Sequence, residues 1–312
     1  MVKHVAIFGQ SFYPETEKYL LQLLDVLNEH RIDVVIEQDY FRLLKKEKSI
    51  PEINSLKTFV SLDKTIDLFF TIGGDGTILS AVKFVKDLNI PIIGINTGRL
   101  GFLATVPKNE IKKSIEEILD GKYTVSERSI LEVSCESQEG ALHSFPFALN
   151  DIAISRKETT SMITIETWLN DEFLNSYWSD GIIISTPTGS TGYSLSCGGP
   201  IITPQTKSFV ITPIAPHNLN ARPLVIPDDL EIKLKISGRE DQYLIALDSR
   251  LASLDKDTIV RIKKADFKIK LVWLLAIALL QPSEKNYFGD KINATKTINQ
   301  VKLCFKITND LN

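Results

Sequence analysis

Hydrophobic residues fall into two textures along the chain. Up to about residue 121, unbroken apolar runs alternate with stretches whose apolar positions recur every three or four residues. Residues 5–8 (Val5, Ala6, Ile7, Phe8) form one such run, ending at Gly9. Tyr19, Leu20, Leu23, Leu24 and Leu27 then repeat at helical spacing, which predicts a helix over 14–30. Val34, Val35 and Ile36 predict a second strand over 33–37. Strand, helix, strand is a βαβ opening, which calls for a parallel sheet with helices on its faces. The stretch 45–58 is polar and weakly patterned and reads as a loop with a short helix at most. Further strands are predicted over 67–72 and 90–96, with a helix over 77–88 between them. Ile111, Ile115, Ile118 and Leu119 mark an amphipathic helix over 109–120, with Gly121 where a helix C-terminus wants a left-handed residue.

After Gly121 the runs become short, β-branched and alternating: 130–135, 148–154, 162–169, 173–177, 182–185, 209–212, 230–236, 243–247, 258–263 and 267–272. Asn170-Asp171 joins two of them as a hairpin turn would. The expected architecture is a Rossmann-like α/β domain with a parallel sheet over residues 1–121 and an all-β, sandwich-type domain over 122–275. An atypical tail follows over 276–312, packing back on the first domain or disordered.

Composition narrows the class. Apolar content is 43%, charged content 24% and net charge −3, values of a soluble globular protein with no overall basic field for nucleic acid. Cys135, Cys197 and Cys304 are far apart and form no metal pattern or disulfide framework, which suits a reducing, cytoplasmic setting. The N-terminus reads as a first strand and not as a signal peptide. The longest apolar run, 271–280, is about half the ~20 residues that span a bilayer, so no membrane partner is expected.

Four stretches could carry chemistry. The strand over 67–72 runs into Gly73-Gly74-Asp75-Gly76-Thr77 and then a helix. Such a turn can offer backbone N–H groups and the positive end of a helix to phosphate oxygens, and the carboxyl ends of parallel strands are where open α/β sheets bind ligands. Asp75 is awkward beside phosphate unless it faces a metal ion or takes a proton. By itself, Gly-Gly-Asp-Gly is also a common turn. Asn150-Asp151 is either a strand-edge turn or a polar pair for ribose hydroxyls or an adenine edge. Ser179-Asp180-Gly181 precedes a buried strand and then the loop 186–196, in which six of eleven residues are Ser or Thr and Gly189 and Gly192 interrupt the chain. That loop is solvated or binds a ligand, and Tyr193 could stack on a base. Residues 217–223 contain His217 and Arg222-Pro223, either a surface ion pair or an anion contact. G-x-G-x-x-G, a P-loop and a Ser-His-Asp set are all absent.

In this order and at these spacings, the five-residue turn at Gly73, the segment 96–102, Asn150-Asp151, Ser179-Asp180-Gly181, the run 185–193 and residues 217–223 resemble the bacterial NAD kinases over roughly residues 1–270. The resemblance implies transfer of the γ-phosphoryl group of ATP to the 2′-hydroxyl of the adenosine ribose of NAD. It implies Mg²⁺ or another divalent metal, ATP and NAD as substrates, and a homodimer or homotetramer. Carried onto matching positions, it makes Asp75 the general base on the metal side, with no residue assigned as a direct metal ligand. Gly74, Gly76 and Thr77 fall at phosphate, and Asn150 and Asp151 at the nicotinamide nucleotide. Asp180, Thr191, Gly192, Tyr193, Ser194, Leu195 and Ser196 fall at the adenosine, and Ala215 at the adenine. Arg99 and Arg222 are the cations on offer. The chain departs from the family at Trp178, where a basic residue is common, and at Asp248-Ser249-Arg250, where Asp-Gly-Gln is common and Arg250 becomes a candidate phosphate contact. It departs again in the apolar run after Val272, which fits either a local frame change or divergence. Two other classes remain open. One is a lipid or sugar-phosphate kinase of the same superfamily, although no basic amphipathic face for a lipid surface is evident. The other is an NAD(P)-binding regulator without turnover, in which Asp75 would have no task.

Overall fold

The computed structural model describes residues 2–11, 16–47, 51–98, 101–135, 141–157, 161–218 and 220–274. Arg99, Cys304 and the tail over 276–312 lie outside the described residues.

The first layer system is an eight-stranded sheet. Its main path runs Lys57–Phe59, Asp33–Glu37, His4–Gly9, Leu68–Gly73, Ile92–Asn96, Ile269–Leu274 and Tyr123–Arg128, and Val106–Pro107 pairs separately with Ile92–Asn96. All pairings are parallel except the last on the path, between Ile269–Leu274 and Tyr123–Arg128. The central strands are buried on both faces, which is why they read as unbroken apolar runs. Val5 and Ile7 face one core with Leu20, Leu23 and Leu27 of the helix Glu17–Glu29 and Ile111, Ile115 and Ile118 of the helix Ile111–Leu119. Ala6, Phe8 and Phe69 face the other, with Ile78, Ala81, Val82 and Val85 of the helix Asp75–Val85. Gly121, at φ 76°, ends the helix Ile111–Leu119 as its position predicts.

The chain leaves the central strand His4–Gly9 in one direction across the sheet and returns to its other side with Leu68–Gly73. This is a topological switch point, between the strand ends at Gly9 and Gly73, the place where open α/β sheets bind ligands.

The second layer system is a sandwich of two six-stranded antiparallel sheets. One runs Leu224–Pro227, Ser208–Ile214, Gly181–Ser185, Asp151–Arg156, Gln242–Leu247 and Arg250–Asp255. The other runs Glu172–Ser179, Ile163–Leu169, Ile232–Ser237, Ile259–Lys264, Leu131–Cys135 and Phe147–Ala148. Ile152, Ile154, Ile182 and Ile184 of the first meet Ile163, Ile165, Leu234 and Ile262 of the second in one core. Asn170 and Asp171 both adopt positive φ, 48° and 67°, between paired Leu169 and Glu172, the backbone of a primed hairpin turn.

Three sequence expectations change. Within 45–58, the helix Gln38–Glu47 runs in from the N-terminal side, anchored by buried Tyr40 and Leu44, Pro51–Ser55 forms a short helix as expected, and the strand Lys57–Phe59 is an addition. The apolar pair that signals the helix lies largely before residue 45. Tyr123–Arg128 and Ile269–Leu274, which fall inside the expected β-rich segment 122–275, pair with each other at one side of the first sheet and not within the sandwich. Tyr123–Arg128, Leu224–Pro227 and Arg250–Asp255 were missed as strands because their burial is irregular or one-sided at sheet edges.

Candidate active site

The glycine turn closes the strand Leu68–Gly73 and opens the helix Asp75–Val85, with Gly74 extended at its N-cap (φ −103°, ψ −166°). Gly76 is exposed in the first turn, and Thr77 is buried with its amide on the Gly74 carbonyl at 3.0 Å. Asp75 does not hang free. Its Oδ2 accepts the Phe102 amide at 2.7 Å, and its Oδ1 accepts the Leu103 and Ala104 amides, both at 3.1 Å. A carboxylate has about four lone-pair positions, so this cradle fixes its orientation and leaves room for one further donor. Gly101 makes the cradle possible: a Cβ there would lie 2.3–2.4 Å from the carboxyl atoms. The two glycine loops meet at Thr97, whose amide donates to the Gly73 carbonyl at 3.2 Å.

One helical turn beyond Asp75, Leu79 lines a cavity of about 440 Å³. The rest of the wall comes from the sandwich. Asp151, Ala153 and Ser155 project from one face of their strand, and Leu244, Ala246 and Asp248 from the neighbouring chain segment. The intervening Ile152, Ile154, Tyr243, Ile245 and Leu247 face the core. Period-2 alternation therefore lays a small-residue floor of roughly 13 Å from Asp151 to Ser155. Asn150, Tyr193, Ser249 and Leu251 complete the lining.

The loop after Gly181–Ser185 folds onto Asn150. The Thr186 amide donates to the Asn150 carbonyl at 2.9 Å, and the Thr186 hydroxyl to the Leu149 carbonyl at 2.6 Å. Gly189 packs so closely that a Cβ would meet the Asn150 carbonyl oxygen at 2.0 Å. Most hydroxyls of this loop are spent internally. Ser190 bonds the Pro187 carbonyl and the Ile202 amide, Thr191 the Thr188 carbonyl, and Ser194 the Thr212 hydroxyl. Gly192 lies against the Asn150-Asp151 step, and Tyr193, Leu195 and Ser196 are exposed. The hydroxyl-rich composition thus serves mainly to build a rigid loop.

Asp180 sits at the far end of the same ladder, where Ser155 pairs with Gly181. Its carboxylate pairs with Arg156 at 3.2 Å, half-buried on both sides. Ala215, exposed at φ 43°, follows Ile214, whose carbonyl accepts the Asp180 amide at 3.0 Å. The His217 ring meets the Trp178 ring edge-on at 4.8 Å. Tyr193 feels both ends of the ladder: burial first, then Cys197, then Asp151 and Asp180, push its phenol above the usual range. Arg222 donates to the Ala221 carbonyl. Arg250 is not oriented as a phosphate ligand. Its guanidinium donates to the Phe145 carbonyl at 2.6 Å and to the Phe147 carbonyl, over the Phe145 ring.

Two carboxyls share the cavity. Asp151 is pushed up to about 7, by burial and then by the charge of Asp248. Burial also raises Asp248, against three backbone amides and Arg250 that favour its ionised form. Sequence reasoning missed Ala153, Ser155, Leu244, Ala246 and Asp248 as cavity residues. Their signal was the alternation of small side chains with Ile and Leu in paired strands.

Models of the ATP-NAD kinase N-terminal domain and the ATP-NAD kinase C-terminal domain match residues 5–123 and 149–274. The NAD kinase of Christiangramia forsetii is 51% identical over 282 residues, covering 90% of this chain and 96% of that protein. The NAD kinase of Flavobacterium psychrophilum is 54% identical over 271 residues, covering 86% and 92%. Among solved structures, yeast NADH kinase complexed with NADH superposes with a TM-score of 0.77 at 24% identity, covering 94% of this chain and 90% of that one. An NAD kinase from Archaeoglobus fulgidus in complex with ATP gives 0.66 at 23% identity, covering 87% and 93%. At these identities the two structures establish a shared fold.

Proposed function

The chain belongs to the ATP-NAD kinase family, and from that premise we propose that it is an NAD kinase, transferring the γ-phosphoryl group of ATP to the 2′-hydroxyl of the adenosine ribose of NAD, with Asp75 as general base. The observation that carries this reading is the cavity itself. It runs along the Asp151–Arg156 strand, and it is bounded by Leu79 of the helix that begins at Asp75. Phosphoryl transfer needs positioning and charge neutralisation more than covalent help. As the ribose oxygen bonds to the γ-phosphorus, the bond to the ADP oxygen breaks and the hydroxyl proton leaves. Asp75, oriented by the amides of residues 102–104, has an acceptor position left for that proton.

In this reading Gly74, Gly76 and Thr77 meet phosphate through the helix N-terminus. Asn150 and Asp151 hold the nicotinamide nucleotide. Asp180, Thr191, Gly192, Tyr193, Leu195 and Ser196 hold the adenosine, with Ala215 against the adenine. Ser194 acts through the backbone it fixes, because its hydroxyl is committed to Thr212. Mg²⁺ or another divalent ion belongs with the substrates. Among the described residues no group of three or more His, Cys, Asp or Glu side chains is placed to hold such an ion. When bound, it supplies charge neutralisation between Asp75 and the phosphates. We also propose a cytoplasmic homodimer or homotetramer. Exposed Leu224 and Val225 on the edge strand Leu224–Pro227 are an apolar surface for a second copy, which light scattering tests directly.

The deciding experiment mixes the purified chain with ATP, NAD and Mg²⁺ and reads NADP with an NADP-specific dehydrogenase. NADP and ADP should form in equal amounts. ADP without NADP would point to another acceptor, and NAD binding with no ADP to a regulator.

A further inference from the structure

One residue ties the nucleotide-facing dipeptide to the sandwich. The Asp248 carboxylate accepts three consecutive backbone amides: Leu149 at 3.0 Å on Oδ2, and Asn150 at 2.7 Å and Asp151 at 3.2 Å on Oδ1. Its own amide donates to the Asp151 carbonyl at 2.9 Å. Asp248 holds a positive φ of 53° in the tight turn between Gln242–Leu247 and Arg250–Asp255. Behind it, Arg250 is anchored on the Phe145 and Phe147 carbonyls. Gly192 lies against both the Asn150 side chain and the Asp151 carboxyl, and the Asn150 Oδ1 is buried with no partner. A buried acceptor left open at a cavity wall is a place for a ligand donor.

We propose that Asp248 is the positioning residue of this site, locking the Asn150-Asp151 step in the orientation that receives the dinucleotide. The inference rests on the NAD kinase reading for the identity of the ligand, while the lock is a property of the chain alone. It has an electrostatic consequence. The titratable and charged groups around Asp151 are Asp248 on the hairpin, Tyr193 and Cys197 on the opposing loop, and Arg250 behind Asp248. The three N–H donors on Asp248 favour its ionised form, and burial with that carboxyl beside it favours the protonated form of Asp151. Protonated, the Asp151 carboxyl can donate a hydrogen bond and adds no negative charge beside a diphosphate. Dinucleotide binding then weakens as pH rises through about 7.

Asp248→Asn is the test. Asn can keep one oxygen on the Asn150 and Asp151 amides, but it turns an NH₂ toward the Leu149 amide, so one bond becomes a donor–donor contact. Hydrogen exchange at the amides of 149–151 should quicken, and the Kd for NAD by calorimetry should rise, each about tenfold or more. With the neighbouring charge gone, the inflection of NAD affinity near neutral pH should move to more acid values. Asp151→Asn should do the reverse, leaving exchange at Leu149 and Asn150 as in the parent while abolishing the inflection. Parent-like exchange and an unmoved inflection in Asp248→Asn would overturn the proposal. Should that variant not fold, a persisting inflection in Asp151→Asn would overturn it instead. A parent enzyme that makes no NADP would sink the activity and leave the exchange result to judge the lock.

Discussion

Asp75 and Phe102 stand 27 residues apart and share a 2.7 Å hydrogen bond from the Phe102 amide to the carboxylate. With the amides of Leu103 and Ala104 it fixes the carboxylate in the first turn of the helix Asp75–Val85. Asp75→Asn would retain an oxygen for Leu103 and Ala104 and lose the Phe102 bond, keeping the fold. It would remove the proton acceptor. The kcat for NADP formation should fall by ~10²-fold or more, with NAD affinity near that of the parent. Near-normal turnover would take Asp75 out of its role.

Gly192 is a site where bulk should cost binding and not folding. A Cβ there would lie 3.2 Å from the Gly189 carbonyl oxygen, 3.5 Å from the Asp151 carboxyl and 3.7 Å from the Asn150 amide nitrogen. The Cβ itself just fits, but the γ-methyls of a valine would press on the Asn150-Asp151 step. Gly192→Val should weaken NAD binding by about tenfold while the melting temperature changes little. Unchanged affinity in a calorimetric titration would separate the loop from the ligand.

Much of this site was legible in the sequence because its loops end strands, and strand ends are marked by glycine. The turn at Gly73 and the loop after Ser185 stand out that way, and the Asn150-Asp151 step stands out as a polar pair at the head of a strand. The cradle of Asp75 was not, because a backbone amide has no letter of its own. Its only trace was Gly101, spaced to leave room for a carboxylate. The lock by Asp248 was hidden for a related reason: a carboxylate that caps three amides looks like any polar residue in a hairpin turn. The hydroxyl count misled in the other direction, since Ser190 and Ser194 are fully buried and bond within the protein. The edges of the first sheet escaped because Tyr123–Arg128 and Ile269–Leu274 meet from opposite ends of the sandwich segment, a pairing no local pattern encodes.

Arg250 supplies a contrast between charge for a ligand and charge for the fold. Its two carbonyl partners and its position over the Phe145 ring use the guanidinium internally. Arg250→Ala leaves both carbonyls without this donor and should lower stability by roughly 2–4 kcal/mol in urea unfolding. The KM for ATP should stay within about twofold of the parent. A large rise in that KM with unchanged stability would return Arg250 to the phosphate site.

The Asp151 carboxyl also sets how stability depends on pH. Its value in the folded chain is about 7 against an ordinary 3.8, raised by burial and then by Asp248. Between these values the folded chain binds a proton that the unfolded chain has released. Stability therefore falls as pH rises through this window, since the slope follows the protons bound by the unfolded state minus those bound by the folded state. The penalty is absent below the unfolded value and complete above the folded one. At 1.36 kcal/mol per pH unit it is on the order of a few kcal/mol. Urea midpoints of the parent and of Asp151→Asn, measured from pH 4 to pH 8, isolate this carboxyl from the other titrating groups. The variant should gain on the parent steadily up to about pH 7 and hold that advantage beyond it. A constant difference across the range would mean that Asp151 is ionised in the folded protein throughout, and that its carboxyl does not donate to a ligand at neutral pH.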